Sequence, residues 1–188
     1  MNNFIVQECE KIADNFLQLK QVAPTLEKIV NECLYALNNG NKIMFCGNGG
    51  SASQALHLAA ELVGRYKRNR PAMASIALST DIAILTAVGN DYGFEQIFSR
   101  QVEGIGNKGD ILIGLSTSGN SQNVALAFET AKQKGIKTIS FTGSKGGQMA
   151  KLADFTLQVP SDTTNYIQEM HLAIGHMLCG LIEEKTTG

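Results

Sequence analysis

Residues 111–121 read ILIGLSTSGNS, an apolar run that ends in four hydroxyl-bearing residues interrupted by a glycine and an asparagine. The run at 111–116 is continuously apolar rather than alternating, which predicts a strand buried on both faces. A helical pattern follows at residues 121–134. A buried strand that leads through a glycine-bearing turn into a helix is the repeating unit of parallel α/β sheets.

The same unit repeats through the rest of the chain from residue 41 onward. Further strands are predicted at 42–46, 74–78, 137–141 and 155–159. Helical patterns lie between and after them at 51–65, 81–88, 94–104, 147–152 and 164–184. This alternation predicts an α/β fold, a three-layer αβα sandwich around a five-stranded parallel sheet.

The first forty residues have a different pattern, with apolar residues every three or four positions. Two helices are predicted, separated by a turn at Ala23-Pro24, with Thr25 capping the second. The chain is therefore interpreted as a single domain, 1–188, with an N-terminal helical pair at 1–40 and an α/β core at 41–188. The pair either covers a sheet edge or contacts another subunit, and the pattern leaves both open.

Composition excludes several classes of partner. The chain has 16 Lys+Arg and 17 Asp+Glu, a net charge of −1, which argues against a protein built to bind nucleic acid or an anionic membrane. Charged residues make up 18%, below the usual ~25%, which hints at oligomerisation. Without a signal peptide pattern or an apolar run of about 18 residues, a cytoplasmic location is expected. Four scattered cysteines are expected to be reduced and buried: Cys9, Cys33, Cys46 and Cys179.

Two polar loops follow predicted strands, where ligands of open parallel sheets bind. Ser116, Thr117, Ser118 and Ser121 precede a helix whose free N–H groups and dipole favour an anion such as phosphate. The second loop, Gly47–Ser53, has the pattern Gly-Asn-Gly-Gly-Ser. Neither loop matches a P-loop or GxGxxG, so a nucleotide is not favoured. The alternative is that these residues only make a turn and a helix cap.

Candidate chemical groups also lie on helices. His57 and Glu61 share a helix face, which suits a shared ligand or metal and equally an ordinary surface pair. On the last helix, small residues accompany Gln168, Glu169 and His176 opposite the apolar stripe, and spacing does not separate Gln168 from Glu169. His171 borders that stripe and is expected to be a hydrogen-bonded packing residue. Asn90-Asp91 suits either a turn or contacts to a polyol.

The chain resembles the sugar isomerase (SIS) fold and, within it, the phosphoheptose isomerase family, over nearly its whole length. The resemblance is carried by ordered motifs: Cys46-Gly-Asn-Gly-Gly-Ser51, His57-x-x-x-Glu61 with Gly64-Arg65-Tyr66, Asn90-Asp91-Tyr92-Gly93-Phe94, Ser116-Thr-Ser-Gly-Asn-Ser121, and Ile167-Gln-Glu-x-His171 with His176. It implies interconversion of sedoheptulose 7-phosphate and D-glycero-D-manno-heptose 7-phosphate, the first step of ADP-heptose precursor biosynthesis.

The resemblance also implies a role for each matched residue. Ser116, Thr117, Ser118 and Ser121 would hold the phosphate of a phosphorylated seven-carbon sugar. The sugar site would be lined by Asn48, Gly49, Gly50, Ser51, Glu61, Asn90, Asp91 and Gln168. Glu61 and His176 would transfer protons through an enediol, and one zinc per subunit would bind His57, Glu61, Gln168 and His176. A homotetramer with sites drawing on neighbouring subunits is implied.

Two points stay open at the level of sequence. A histidine whose lone pair binds zinc cannot also accept a proton there, so His176 is either base or ligand. Members of the family often have an arginine before Ile-Gln-Glu, where this chain has Tyr166.

Two rival functions are compatible with the same fold. One is the non-catalytic SIS protein that binds the replication initiator, and the other is an isomerase or sensor of a different phosphosugar. The presence of Glu61, His176 and the Gly-Gly-Ser loop favours the enzyme.

Overall fold

The computed structural model describes residues 2–187, which form a parallel sheet flanked by helices. The sheet has five strands, all paired in parallel: β1 (Ile43–Gly47), β2 (Ser75–Ala77), β3 (Ile111–Ser116), β4 (Lys137–Thr142) and β5 (Phe155–Gln158). The predicted α/β sandwich is therefore confirmed. Most of the predicted strand ends shift by one residue. Strand β2 is shorter than predicted because its pairing with β1 ends at Ala77.

Eight α-helices are described: α1 (Asn2–Gln18), α2 (Ala23–Asn38), α3 (Gly50–Val63), α4 (Ile82–Tyr92), α5 (Ser99–Ile105), α6 (Gln122–Gln133), α7 (Gly147–Leu152) and α8 (Thr164–Thr187). Short 3₁₀ turns at Leu19–Val22 and Phe94–Gln96 precede α2 and α5. The predicted cap at Thr25 is wrong, because α2 begins at Ala23 with a proline in its first turn. The helix predicted at 94–104 is likewise divided into a 3₁₀ turn and α5.

The strand order, β2-β1-β3-β4-β5, creates a switch point between β1 and β3. From β1 the chain crosses outward to β2 and then returns to the other side of β1 to form β3. The loops that follow β1 and β3 consequently diverge from a shared crevice at the carboxyl edge of the sheet. Ligands of doubly wound sheets bind in such a crevice.

Two apolar clusters, one on each face of the sheet, form the core. Leu26 of α2, Leu58 of α3 and Ile174 of α8 belong to the first cluster, whose strand residues include Phe45. The second cluster joins α5, α6 and α7 to the opposite face through residues such as Phe128. Because both faces are covered, the strand residues of β1 and β3 are all buried, as their continuous apolarity predicts.

The N-terminal helix α1 lies at the margin of this core, with the partly buried Ile12 packed against the first cluster. None of its residues is buried, and Phe4, Ile5 and Val6 are more than half exposed. Cys9 on the same helix is exposed too, so its predicted burial is wrong, whereas Cys33, Cys46 and Cys179 are buried as expected. Across residues 2–187, no helix combines the length and apolarity that a bilayer crossing requires.

A buried carboxylate joins β1 to β3 at the amino edge of the sheet. The Asp110 side chain accepts hydrogen bonds from the backbone N–H groups of Lys42 and Asn107, from Asn41 and from the Lys42 ammonium at 2.5 Å. Burial alone raises the pKa of Asp110, but the hydrogen bonds from Lys42, Asn107 and Asn41 outweigh it and lower the pKa below 3.8.

The Asp110→Asn variant is expected to lose about 1–3 kcal/mol of unfolding free energy at pH 7, because an amide cannot accept all of these bonds. Since the folded pKa is lowered, the carboxylate stabilises the fold above pH 3.8, and this contribution is lost as the pH falls through the folded pKa. Urea unfolding of both proteins between pH 7 and pH 3 measures the difference, with the exposed Asp162→Asn as the control. A gap that stays constant down to pH 3 would contradict this assignment.

Candidate active site

The loop that follows β1 is joined by a pair of side-chain amides to the first turn of α6, the helix that follows β3. Asn48 and Asn123 each donate to the other's Oδ1 at 2.9 Å, and Asn123 Oδ1 also accepts from the N–H of Val124 at 3.0 Å. The Asn123 side chain is buried, unlike most asparagines. Sequence reasoning missed this residue, although its place just inside the helix after the hydroxyl-rich segment was an available signal.

Residues 116–121, called here the hydroxyl loop, form a tight curve at the end of β3. Ser116 Oγ lies 2.8 Å from Ser121 Oγ and accepts from the N–H of Gly119 at 3.2 Å. Gly119 has φ +68°, and a Cβ there would lie 2.0 Å from the carbonyl oxygen of Gly146. The loop therefore requires glycine at this position, because a neighbouring backbone passes directly beside it.

The structure argues against the view that these hydroxyls only cap α6. Ser121 occupies the N-cap position, yet its side chain makes no cap hydrogen bond. Thr117 is half-buried and Ser118 is exposed, and both line a cavity of about 210 Å³. Lys145 and Thr164 line the same cavity, so a cation and a further hydroxyl lie near the loop, together with the carboxylate of Asp162. This set of groups suits a phosphate.

A second group of polar side chains forms where α3 packs against α8. His57 Nε2 lies 2.7 Å from His176 Nε2 and 3.3 Å from Glu61 Oε1. One donor atom from each of the three residues lies within 4.8 Å of the others, and no other such group of three or more metal-ligating His, Cys, Asp or Glu occurs within residues 2–187. We call His57, Glu61 and His176 the His–Glu–His cluster. The sequence predicted all three, but not that His57 would stand between the other two.

Gln168 lies at the other end of the α3–α8 contact. A Cβ on Gly50 would lie 2.6 Å from Gln168 Nε2, so the amide side chain rests directly on the glycine loop, residues 47–51. The backbone carbonyl of Gln168 also accepts from Gln54 Nε2 at 2.5 Å. These contacts distinguish Gln168 from Glu169, which the sequence alone could not do.

The small residues of α8 serve helix packing rather than a ligand. A Cβ on Gly175 would lie 2.5 Å from Leu58 Cδ2, and one on Gly180 would lie 3.0 Å from Tyr66 Cε1. Buried Cys179 contacts the Leu58 carbonyl through its Sγ at 3.9 Å. The stripe therefore lets α3 and the loop after it approach α8 closely.

Comparison with known proteins identifies the family. A model of the SIS domain matches residues 9–143. The phosphoheptose isomerase of Akkermansia muciniphila is 56% identical over 188 residues, which is the whole of both chains. The solved phosphoheptose isomerases of Neisseria gonorrhoeae and Francisella tularensis superpose with TM-scores of 0.92 and 0.93. Both are 37% identical, and each comparison covers 97% of this chain and 98% or 97% of the other chain.

The chain belongs to the phosphoheptose isomerase family of SIS-domain proteins. The prediction that it is an enzyme, an isomerase, is thereby confirmed against the non-catalytic alternative. The two polar centres described above, the hydroxyl loop and the His–Glu–His cluster, match the motifs on which the resemblance was based.

Tyr166 stands where the resemblance led us to expect an arginine, and the structure shows what this residue contacts. The Tyr166 ring is buried, its hydroxyl donates to Glu8 Oε2 at 2.5 Å, and Lys11 Nζ lies 5.1 Å from the ring centroid. The hydrogen bond to Glu8 raises the pKa of the Tyr166 phenol. In this member of the phosphoheptose isomerase family, the position therefore ties α8 to α1.

The predictions for His171 and for Asn90-Asp91 have different outcomes. His171 is fully buried beside Phe141, with ring centroids 5.9 Å apart, and burial lowers its pKa to about 4, so it is a neutral packing residue. The expected hydrogen bond is not confirmed, because neither ring nitrogen makes one with ordinary geometry to a described residue. Asn90 and Asp91 lie on α4, which continues to Tyr92 instead of ending at Gly89 as predicted. Both are exposed and hydrogen-bonded to each other at 2.8 Å. No hydrogen bond or ion pair between described residues joins them to the two polar centres.

The hydroxyl loop and the His–Glu–His cluster are separated within one chain of this isomerase family. Helix α3 begins at Gly50, at the same carboxyl edge of the sheet as the hydroxyl loop, and then runs back along the sheet. At about 1.5 Å of rise per residue, His57 is roughly 10 Å and Glu61 roughly 16 Å along the helix from Gly50. Glu61 therefore does not face the anion site of its own chain directly.

Proposed function

We propose that this protein interconverts sedoheptulose 7-phosphate and D-glycero-D-manno-heptose 7-phosphate. The observation that carries the proposal is the His–Glu–His cluster, because moving a carbonyl between C1 and C2 needs one group to remove a carbon-bound proton and one to return it. High identity to relatives named phosphoheptose isomerase supports the seven-carbon substrate.

In this proposal each polar centre has a separate task. Ser116, Thr117, Ser118 and Ser121 hold the phosphate, while Asn48, the backbone of Gly49 and Gly50, Ser51 and Gln168 contact the sugar. Glu61 removes and returns the proton through an enediol, a contribution of about 10²–10⁴-fold in rate. His57 contacts both Glu61 and His176, so a proton can pass along the row of three groups.

The Glu61→Gln variant is expected to lose turnover of sedoheptulose 7-phosphate, by at least about 10²-fold in kcat, because an amide cannot accept the proton. Inorganic phosphate should still bind as in the wild type, since the hydroxyl loop is untouched. Kinetics and calorimetry measure the two effects, with exposed Glu129→Gln as the matched control. Wild-type kcat in Glu61→Gln would refute the role of Glu61.

The His–Glu–His cluster also fits a zinc ion. Two imidazole nitrogens and one carboxylate oxygen within 4.8 Å form the donor set typical of catalytic zinc sites with three protein ligands. We propose that His57, Glu61 and His176 hold the metal. Gln168 rests on Gly50, about 12 Å along α8 from His176 at 1.5 Å of rise per residue, so in this proposal it would join the metal only from a neighbouring subunit. When bound, zinc would act as a Lewis acid on the oxygens of the sugar. In that state His176 is a ligand, and Glu61 carries the proton transfer.

Metal binding is expected to require both histidines. Chelator-treated wild-type protein should take up one zinc per chain, whereas His57→Gln and His176→Gln should each bind it at least about tenfold more weakly. Metal analysis and the zinc-induced rise in Tm measure binding independently of activity. Equal uptake by His57→Gln and wild type would exclude this site, and His171→Gln serves as a histidine control outside it.

We propose further that the active site is completed by a second copy of the chain within a homotetramer. The separation of the hydroxyl loop from the cluster supports this, as does the exposure of apolar side chains that a partner would cover. They include Phe4, Ile5 and Val6 on α1, Ile82 on α4, and Phe94. Asn90 and Asp91 on exposed α4 would then contact the sugar in a neighbouring subunit's site.

Mixed oligomers of two inactive variants are expected to distinguish an active site shared between two chains from one formed within a single chain. Glu61→Gln lacks one half of the site and a Thr117→Val, Ser118→Ala double variant lacks the other. In a randomised equal mixture, a shared site regains roughly a quarter of wild-type activity, because each half has an even chance of being intact. Light scattering should give four times the 20.2 kDa of one chain. A monomer, or a mixture without activity, would contradict the proposal.

A further inference from the structure

A buried ion pair lies outside the groups assigned so far. The Arg70 and Glu183 side chains are only 2% and 3% exposed, and Arg70 Nε lies 3.2 Å from Glu183 Oε2. A buried pair is costly to desolvate unless its remaining polar atoms are hydrogen-bonded. Glu183 meets this condition by accepting from the backbone N–H groups of Tyr66, Lys67 and Arg68 at 2.7–2.9 Å.

Arg70 holds the end of the helix that carries Glu61. Its guanidinium donates to the carbonyls of Glu61 and Leu62, both at 2.8 Å. These carbonyls belong to the last turn of α3, where helix carbonyls lack partners of their own and a cation is favourable. Arg70 therefore fixes the end of α3 relative to α8, on which Glu183 lies.

The loop between α3 and β2 places an aromatic ring on His176. The backbone of Tyr66 is held by Glu183, and the Tyr66 ring stacks on His176 with centroids 5.7 Å apart and planes 28° apart. Gly180, one turn after His176, leaves the room for this ring, since a Cβ there would lie 3.0 Å from Tyr66 Cε1. His176 also makes a T-shaped contact with His57, with ring centroids 5.0 Å apart.

We propose that Tyr66 is a positioning residue that holds the His176 ring against His57, and that the Arg70–Glu183 pair holds Tyr66 in place. Because Tyr66 stacks on the His176 ring and His57 contacts its Nε2, the imidazole is restricted to the orientation in which its Nε2 lies 2.7 Å from His57 Nε2. This inference rests on the proposed function, because His176 is taken to act in the isomerisation.

Kinetics of two Tyr66 variants test the role of the ring. Tyr66→Ala is expected to lower kcat at least about tenfold while KM for sedoheptulose 7-phosphate changes less than about threefold, because the phosphate is held elsewhere. Tyr66→Phe, the matched control, keeps the ring and should retain most of the wild-type kcat. Unchanged kcat in Tyr66→Ala, a change in KM alone, or an equal loss in Tyr66→Phe would each overturn the proposal.

Glu183→Gln tests the support behind Tyr66. An amide places an NH₂ group against backbone N–H donors, so the loop should shift and kcat should fall. If Glu183 acts through Tyr66, the double variant with Tyr66→Ala should lose less than the product of the two single losses. Two losses that simply multiply would refute the link between these residues.

Crystal structures of wild type, Tyr66→Phe and Tyr66→Ala provide a readout that is independent of substrate. The 2.7 Å contact between His57 and His176 is expected in the first two proteins and lost in the third. An unmoved His176 in Tyr66→Ala would overturn the positioning role. A wild-type protein inactive on the seven-carbon substrate would instead refute the proposed function, with the positioning role still decided by these structures.

Discussion

The close packing of α3 against α8 is the constraint on which the reactive centre depends. Gly175 removes the side chain that would otherwise collide with Leu58, and buried Cys179 contacts the carbonyl of that leucine. Gly50 makes equivalent room for Gln168 at the other end of the contact. Because the helix axes approach this closely, short side chains from two helices can meet, and His57 reaches His176 without any intervening group.

The anion site depends on a different constraint, the parallel register of β1 and β3. Gly47 pairs with Leu115, so the glycine loop and the hydroxyl loop begin side by side at the switch point of the sheet. The Asn48–Asn123 amide pair then fixes the glycine loop to the first turn of α6, which directly follows the hydroxyl loop. One chain thus presents the anion site at the edge of its sheet and the His–Glu–His cluster on its helical layer. This division explains why a second copy is proposed to complete the site.

The charged groups of the fold differ in burial according to their role. Charged groups deep in the fold, Asp110 at the amino edge and the Arg70–Glu183 pair beside α8, are fully engaged by backbone donors or acceptors. The groups with proposed chemistry are more accessible, since the His57 and Glu61 side chains are 46% and 20% exposed. Buried charge therefore supports the backbone around the site, while the accessible groups remain available to substrate, proton or metal.

Much of this molecule is determined by local sequence. The five strands, the helices between them and the two polar loops follow from hydrophobic periodicity and turn residues, which act over a few positions. Three local predictions were wrong: α4 extends to Tyr92, the cap predicted at Thr25 is not used because α2 begins at Ala23, and Cys9 is exposed because no residue of α1 is buried. Ordered motifs also identified the family and the candidate residues, including His57, Glu61 and His176.

Only the tertiary structure decided which of these residues meet. It placed His57 between Glu61 and His176, chose Gln168 over Glu169 at the glycine loop, and showed that the small residues of α8 accommodate Leu58 and Tyr66. It also introduced Asn123, Arg70 and Glu183, whose partners lie 75, 113 and 115–117 positions away in the chain. Contacts of that range arise from the packing of whole elements, and no periodicity within a single element encodes them.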